Sequence, residues 1–246
     1  MVAMLSDIHG NIQKFLNDVS VLQLTEKDYV LVLGDFGLIW DKNKTEYERD
    51  IYRKLAELKC RILFIDGNHD NIDRLDAMPV AEWNGGKAHI ITESIIHLMR
   101  GQVYEIEGKR VFCFGGGKSH DVKNLLYPTD PEFDFKKRIH RFKREFFRVV
   151  GTSFWERELP SCEEMKEGMK SLEKIGNKVD LILTHCAPSS IQKMLNYNFK
   201  DDILTGYLDK IRREITYEKW IFGHYHTDAV IENNHICVYN EVYVVK

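Results

Sequence analysis

Little in this chain points to thiol chemistry or to a membrane. Its five cysteines (Cys60, Cys113, Cys162, Cys186 and Cys237) form no Cys-x-x-Cys pair, and their odd number argues against a fully paired disulfide framework. No stretch approaches the roughly 20 apolar residues needed to span a bilayer. The run from Met1 to Leu5 is too short for a secretory signal and has no basic flank, so a cytoplasmic location is the expectation. An excess of one charge is also lacking. Formal net charge is −3, which gives no global electrostatic argument for nucleic acid. Internal repeats and low-complexity linkers are absent. At 246 residues and 43% hydrophobic content the chain can bury a substantial core. It is read as a single domain, 1–246, with an inserted cap or lid at about 119–160.

What the chain does contain is five short polar blocks, each just after an apolar, strand-like run. They are Asp7-Ile8-His9, Gly34-Asp35, Gly67-Asn68-His69-Asp70, Thr184-His185 and Gly223-His224-Tyr225-His226. Strands lying side by side deliver their C-terminal ends to one edge, so blocks distant in sequence can share a pocket there. A pair of metal ions roughly 3.5–4 Å apart needs a bridging carboxylate and further oxygen and nitrogen ligands. Asp35 is the candidate bridge. Asp7 and His9, two positions apart in extended chain, share a face, and His224 and His226 repeat that spacing. Asn68 offers a neutral oxygen and His185 an imidazole. Such a thiolate-free shell suits manganese, iron or zinc better than calcium.

Each residue also has a plain structural reading. A lone histidine after a strand is more often hydrogen-bonded than metal-bound. Gly10, Gly34, Gly67 and Gly223 can all be turn glycines at positive φ. Asp35 can be a helix cap, but a cap does not explain the three histidine-bearing loops that accompany it.

The ordered series Ser6-Asp7-Ile8-His9-Gly10-Asn11, Gly34-Asp35-Phe36-Gly37, Gly67-Asn68-His69-Asp70, Thr184-His185 and Gly223-His224-Tyr225-His226 resembles the calcineurin-like metallophosphoesterases over nearly the whole chain. The resemblance implies a four-layer αββα sandwich of two mixed β-sheets flanked by helices. It implies one metal held by Asp7, His9, Asp35 and His226, and a second by Asp35, Asn68, His185 and His224. A bridging hydroxide, acidified by both ions, would attack phosphorus in line. His69 is placed as the group that protonates the leaving oxygen or stabilises charge on it, with Asp70 holding its imidazole in one tautomer. The cofactors expected are two divalent or trivalent ions, manganese first, with iron and zinc as alternatives.

One departure bears on substrate. Relatives that include the protein serine/threonine phosphatases continue the second block as Gly-Asp-x-Val-Asp-Arg-Gly, whereas this chain reads Gly34-Asp35-Phe36-Gly37-Leu38-Ile39-Trp40. The missing arginine removes a bidentate clamp for phosphate oxygens, which makes protein phosphatase activity a weaker expectation. Arg100 is a candidate phosphate contact from another direction, or else a solvated turn arginine. Lys118 and His120 are candidate substrate contacts. They follow Gly115-Gly116-Gly117, which is no P-loop because the first glycine of that motif would fall at Phe112. Cys186 beside His185 is read as a buried apolar residue, not a nucleophile.

The first third of the chain reads as βαβαβ, with strands at Val2 to Leu5, Tyr29 to Leu33 and Arg61 to Ile65, and helices over Ile12 to Leu24 and Thr45 to Lys59. Short strands follow from Ile95 to Phe114, with a turn at Glu107-Gly108-Lys109. Others are read at Val179 to Leu183, Trp220 to Phe222, Ala229 to Glu232 and Ile236 to Tyr239. Ser161 and Glu164 form a capping-box pattern for a helix toward Ile175. Between 135 and 148 basic residues (Lys136, Lys137, Arg138, Arg141, Lys143, Arg144, Arg148) interleave with Phe135, Phe142, Phe146 and Phe147. That helix either binds a polyanion such as nucleic acid or turns its phenylalanines into the core. Phe154 and Trp155 are read as core residues first, and as a pocket wall or subunit contact second. The activity expected is hydrolysis of a phosphate ester, a phosphodiester of nucleotides or nucleic acid ahead of a phosphomonoester; a non-catalytic binding module on the same fold is the alternative. Oligomeric state is not legible.

Overall fold

A computed structural model describes residues 1–120 and 122–245. Seven strands form one mixed sheet: β1 (Val2–Leu5), β2 (Tyr29–Leu33), β3 (Arg61–Ile65), β4 (Val80–Trp83), β5 (Gly86–Ile90), β6 (Ile95–Leu98) and β15 (Tyr243–Val245), in the order β15-β1-β2-β3-β6-β5-β4. Six form the other: β7 (Gln102–Ile106), β8 (Lys109–Phe114), β11 (Leu181–Thr184), β12 (Lys219–Phe222), β13 (Ala229–Ile231) and β14 (His235–Cys237), in the order β13-β14-β12-β11-β8-β7. A short parallel pair, β9 (Leu125–Leu126) and β10 (Arg148–Val149), stands apart from both. The helices are α1 (Ile12–Ser20), α2 (Glu46–Ala56), α3 (Ile72–Asp76), α4 (Phe133–Lys143), α5 (Cys162–Lys174), α6 (Ser189–Leu195) and α7 (Ile203–Glu214).

Period-2 alternation of apolar residues builds the layers. On β2, Leu31 and Leu33 join Leu63, Ile65, Cys113 and Leu183 in a cluster between the two sheets. Their neighbours Val30 and Val32 face the other way, against Phe15 of α1 and Ile51 and Leu55 of α2. The second sheet does the same, sending Phe112, Ile182 and Trp220 outward onto Leu172, Ile191, Leu208 and Ile211 of α5, α6 and α7. Strands buried on both faces read as continuous apolar runs, as parallel strands commonly do. The result is the four-layer αββα sandwich. No helix among the described residues is long and apolar enough to cross a membrane.

Local signals account for several boundaries. Thr45 caps α2 by accepting the Glu48 amide at 3.1 Å, and Ser161 with Glu164 makes the reciprocal capping box of α5. The β7–β8 turn is tighter than the sequence suggests: only Glu107 and Gly108 lie between the strands, at φ 52° and 72°, the pattern of a two-residue type I′ hairpin. α1 stops at Ser20, short of Leu24.

Helix α4 departs from both a buried and a packed reading. None of its residues is buried, and Phe135 and Phe142 are 56% and 89% exposed. Its phenylalanines therefore do not enter the core. Lys136 is tied to Asp130 and Glu132, whereas Arg138, Arg141, Lys143 and Arg144 are exposed. Trp155, by contrast, is core: it is 1% exposed and meets Trp40 edge to face at 4.5 Å.

Candidate metal centre

Because β1, β2 and β3 are parallel neighbours in one sheet and β11 and β12 in the other, all five polar blocks leave strand ends on the same edge of the sandwich. The loops are stitched together by their backbones. The His9 amide donates to Asp35 O at 2.8 Å, and the Gly223 amide donates to His185 O at 2.9 Å. Across the two sheets, the His224 amide donates to Asp7 Oδ2 at 2.9 Å.

Two clusters of side chains result. In the first, Asp7 Oδ1 lies 3.2 Å from His226 Nε2 and 3.8 Å from His9 Nε2, and the two histidine Nε2 atoms are 3.2 Å apart. In the second, His185 Nε2 lies 3.2 Å from both Asn68 Oδ1 and His224 Nδ1. Asp35 stands between them: Oδ2 is 3.8 Å from His9 Nε2 and Oδ1 is 3.5 Å from His185 Nε2. The seven residues singled out for metal are thus brought together, with Asp35 at the shared position.

Second contacts aim these ligand atoms. His185 Nδ1–H donates to Leu33 O at 2.7 Å, which leaves Nε2 facing the site, where it offers a lone pair once its proton is lost. Ser6 Oγ donates to Asp7 Oδ2 at 2.6 Å. Asn68 Nδ2 donates to Ser119 Oγ at 3.1 Å, and Ser119 Oγ donates to Glu158 Oε2 at 2.6 Å, which turns Asn68 Oδ1 inward. Neither Ser119 nor Glu158 carries a motif that marks it in sequence. Ser119 follows the glycine run, and Glu158 lies 39 residues on.

Three observations fit this edge to cations. Asp7 Oδ1 is buried and makes no well-aligned hydrogen bond, with the ring nitrogens of His226 and His9 as its neighbours, a state that is costly unless a positive charge completes it. Three groups of carboxylate and imidazole atoms, Asp7-His9-His226, His9-Asp35-His69 and Asp7-Asp35-His185, each lie within 4.8 Å of one another. Finally, Asp7, His9, Asp35, His224 and His226 all adopt left-handed φ, from 48° to 70°, which is uncommon for non-glycine residues and clusters at functional sites.

Charge in the site is strongly coupled. Burial works against ionised Asp35, but the His185 imidazole beside it holds its carboxyl below the usual range. Burial likewise lowers His185, yet Asp35 and then Asp7 outweigh it and raise His185 to about 10. Burial and the neighbouring His185 push His224 down to about 3. A ligating imidazole must be neutral, so a cation taken up here displaces the His185 proton. Metal affinity is therefore expected to fall as pH falls, and binding at pH 7 to release at least one proton. Titration calorimetry in buffers of different ionisation enthalpy reads that number directly. Heats that do not vary with buffer would contradict it.

Several sequence expectations need correction. Asp70 does not orient His69 through its carboxylate: its oxygens accept the amides of Gly37 and Gly67, both at 2.9 Å. It ties two site loops together, and burial followed by repulsion from Asp35 lifts it to about 7. Arg100 is neither a phosphate contact nor a solvated residue. It is 5% exposed, and its guanidinium is engaged by Asp66 at 2.7 and 3.0 Å and by the carbonyl of Arg157 at 3.0 Å. Gly67 and Gly223 are not at positive φ, unlike Gly10 and Gly34. They are glycines because a Cβ would overlap Asp35 Oδ1 and Ser6 Oγ, respectively.

The open cleft above the clusters has a volume of about 320 Å³ and includes His69, His120 and Phe199 in its wall. His120 Nε2 lies 2.9 Å from His224 Nε2, so its contact here is with a candidate ligand. Lys118 is exposed and is not among the described residues lining that cleft; its charge acts on Glu158. His69 lies beside Asp35, donating its amide to Oδ1 at 2.7 Å, and its ring stacks on Trp40 with 6.0 Å between centroids. Cys186 is buried.

Against known proteins, residues 1–228 match the family model described as calcineurin-like phosphoesterase. A search of curated proteins found no match.

Proposed function

The chain belongs to the calcineurin-like phosphoesterases, metal-dependent hydrolases of phosphate esters, and from that premise we propose a dinuclear enzyme that acts on phosphodiesters of nucleotides or nucleic acid. The observation that carries the dinuclear reading is the position of Asp35 between two ligand clusters, His9 on one side and His185 on the other. Asp7, His9, Asp35 and His226 would hold one ion, and Asp35, Asn68, His185 and His224 the other. The donor set of oxygen and imidazole without thiolate suits manganese, with iron and zinc as alternatives. When bound, such ions supply a water of lowered pKa and neutralise charge on the phosphoryl oxygens.

The chain's own residues divide the remaining work. His69 lies at the cleft wall, where it would protonate the leaving oxygen or stabilise the charge that grows there. Asp70 keeps the Gly37 and Gly67 loops in register, so that His69 and Asp35 stay side by side. Ser119 and Glu158 hold Asn68 in one orientation. The segment 119–160 would act as a cap, since it supplies His120 at the rim and Glu158 behind Asn68.

Support for a diester of nucleotides comes from two features. The cleft is open to solvent, and α4 in the cap exposes Phe135 and Phe142 among Arg138 and Arg141, the mixture of stacking faces and cations that single strands bind. A phosphomonoesterase is the runner-up. The loop that would carry a phosphate-clamping arginine has Ile39 in its place, 1% exposed.

The test is to strip the protein of metal, add back manganese, and compare p-nitrophenyl phosphate with bis-p-nitrophenyl phosphate. Manganese-dependent turnover that favours the diester is expected. His69→Ala should slow esters of poor leaving groups by roughly 10²-fold or more and good ones much less, because a good leaving group needs little protonation. Equal losses across the series would remove the acid role. Turnover with none of manganese, iron and zinc would overturn the enzyme reading.

A further inference from the structure

A second cavity of about 410 Å³ adjoins the metal-side cleft and shares His9 and His69 with it. It runs between the loop from Gly37 to Asp41 and the start of α2, with Leu38, Trp40, Tyr47 and Ile51 among its walls. We infer that this cavity receives the alcohol half of the ester, and that this alcohol is a nucleoside, a neutral group with a planar ring. The inference rests on the phosphohydrolase reading above and specifies its substrate.

Position is the first ground. His69 forms the partition between the two spaces, so whatever is attached to the oxygen that His69 protonates must extend away from the metals, and this cavity is where that path leads. The second ground is the aromatic platform. Trp40 is parallel to the His69 ring within 12° and is held by an edge-to-face contact with the buried Trp155. Its backbone is pinned as well: Asn71 Nδ2 donates to Trp40 O at 2.9 Å, and Arg74 Nη1 donates to Asp41 O at 2.9 Å. A rigid indole at a pocket wall favours a planar partner at little cost in ordering.

Charge is the third ground. No lysine or arginine is among the described residues lining the cavity. Of the two carboxylates there, Glu48 is matched by Arg74 at 2.8 and 2.9 Å, which leaves Asp41 as an exposed acceptor. A polyphosphate tail or an acidic peptide would find no lysine or arginine in this wall and would face the Asp41 carboxylate, whereas the hydroxyl and amino donors of a nucleoside suit it. Size agrees, since pockets for compact organic ligands begin at about 300 Å³.

The experiment compares two esters with similar primary alcohols as leaving groups, adenosine 5′-monophosphate and glycerol 3-phosphate, each also as its methyl diester. For the wild type, kcat/KM is expected to favour the adenosine ester at least tenfold. Trp40→Ala and Tyr47→Ala should each shrink that preference severalfold, and Trp40→Phe should restore it. A parallel calorimetric titration of adenosine into metal-free protein should show binding that Trp40→Ala weakens at least tenfold. No preference for the adenosine ester, or a preference that survives all substitutions, overturns the subsite. Failure of the wild type to hydrolyse any ester condemns the hydrolase reading instead, and the adenosine titration then decides the cavity alone, with no binding counting against it.

Discussion

Asp35→Asn should lose at least one of the two metal ions proposed for the site and about 10³-fold or more in kcat/KM. The magnitude follows from charge stabilisation by metal worth several kcal/mol, with each 1.36 kcal/mol a factor of ten in rate. The reason the effect centres on this residue is geometric. Asp35 is 1% exposed and reaches toward His9 with one oxygen and His185 with the other. An amide keeps the shape and one acceptor but removes the charge that both ions would share. Oδ1 also accepts the His69 amide, so a residual fold is retained while chemistry is lost. Elemental analysis of metal per chain, run beside turnover, checks both halves. Two ions per chain and an unchanged rate would show that Asp35 is not a bridge.

Arg100→Met should produce the largest loss of stability, about 3–5 kcal/mol, the range seen when one partner of a buried ion pair is removed and the other charge is stranded. Asp66 is fully buried, and Arg100 together with His97 keeps its carboxyl below the usual range against the penalty of burial. Its backbone also accepts the Gly116 amide at 2.8 Å. Because Asp66 opens the turn that carries Asn68 and His69, metal affinity should drop together with stability. The double change Arg100→Met with Asp66→Asn should recover part of the loss, since no unpaired charge remains. Denaturant unfolding of the three variants measures this. If Arg100 instead clamped phosphate, its replacement would raise KM and leave the unfolding midpoint where it was.

Much of the fold was legible because its signal is local. β1, β2, β3 and β6 begin and end where their apolar runs do, since a strand buried on both faces needs nothing from its neighbours to be recognised. The β4–β5 hairpin was not seen: β4, the edge strand, alternates exposed and half-buried residues, and Ala81, Glu82 and Lys87 carry little strand propensity. The exposed aromatics of α4 illustrate the opposite failure, in which a pattern that suits a core helix lies on the surface, with none of the helix's residues buried.

The sequence by itself determined the chemistry. The residue types and their place after strand ends specify an oxygen-and-imidazole site for cations, and a parallel sheet edge is the arrangement that collects such blocks; the spacing of two did not act through extended chain, since Asp7, His9, His224 and His226 are all at left-handed φ. Only the tertiary structure decided what each remaining polar residue does. Asp70 serves backbone amides, Arg100 neutralises Asp66, Glu158 aims Asn68 through Ser119, and Trp155 props Trp40 beside a second cavity. Those partners lie between 3 and 115 residues apart. Local periodicity carries no information about such pairings, which arise when two sheets and the segments that connect them pack and every buried polar group must find the nearest charge or amide.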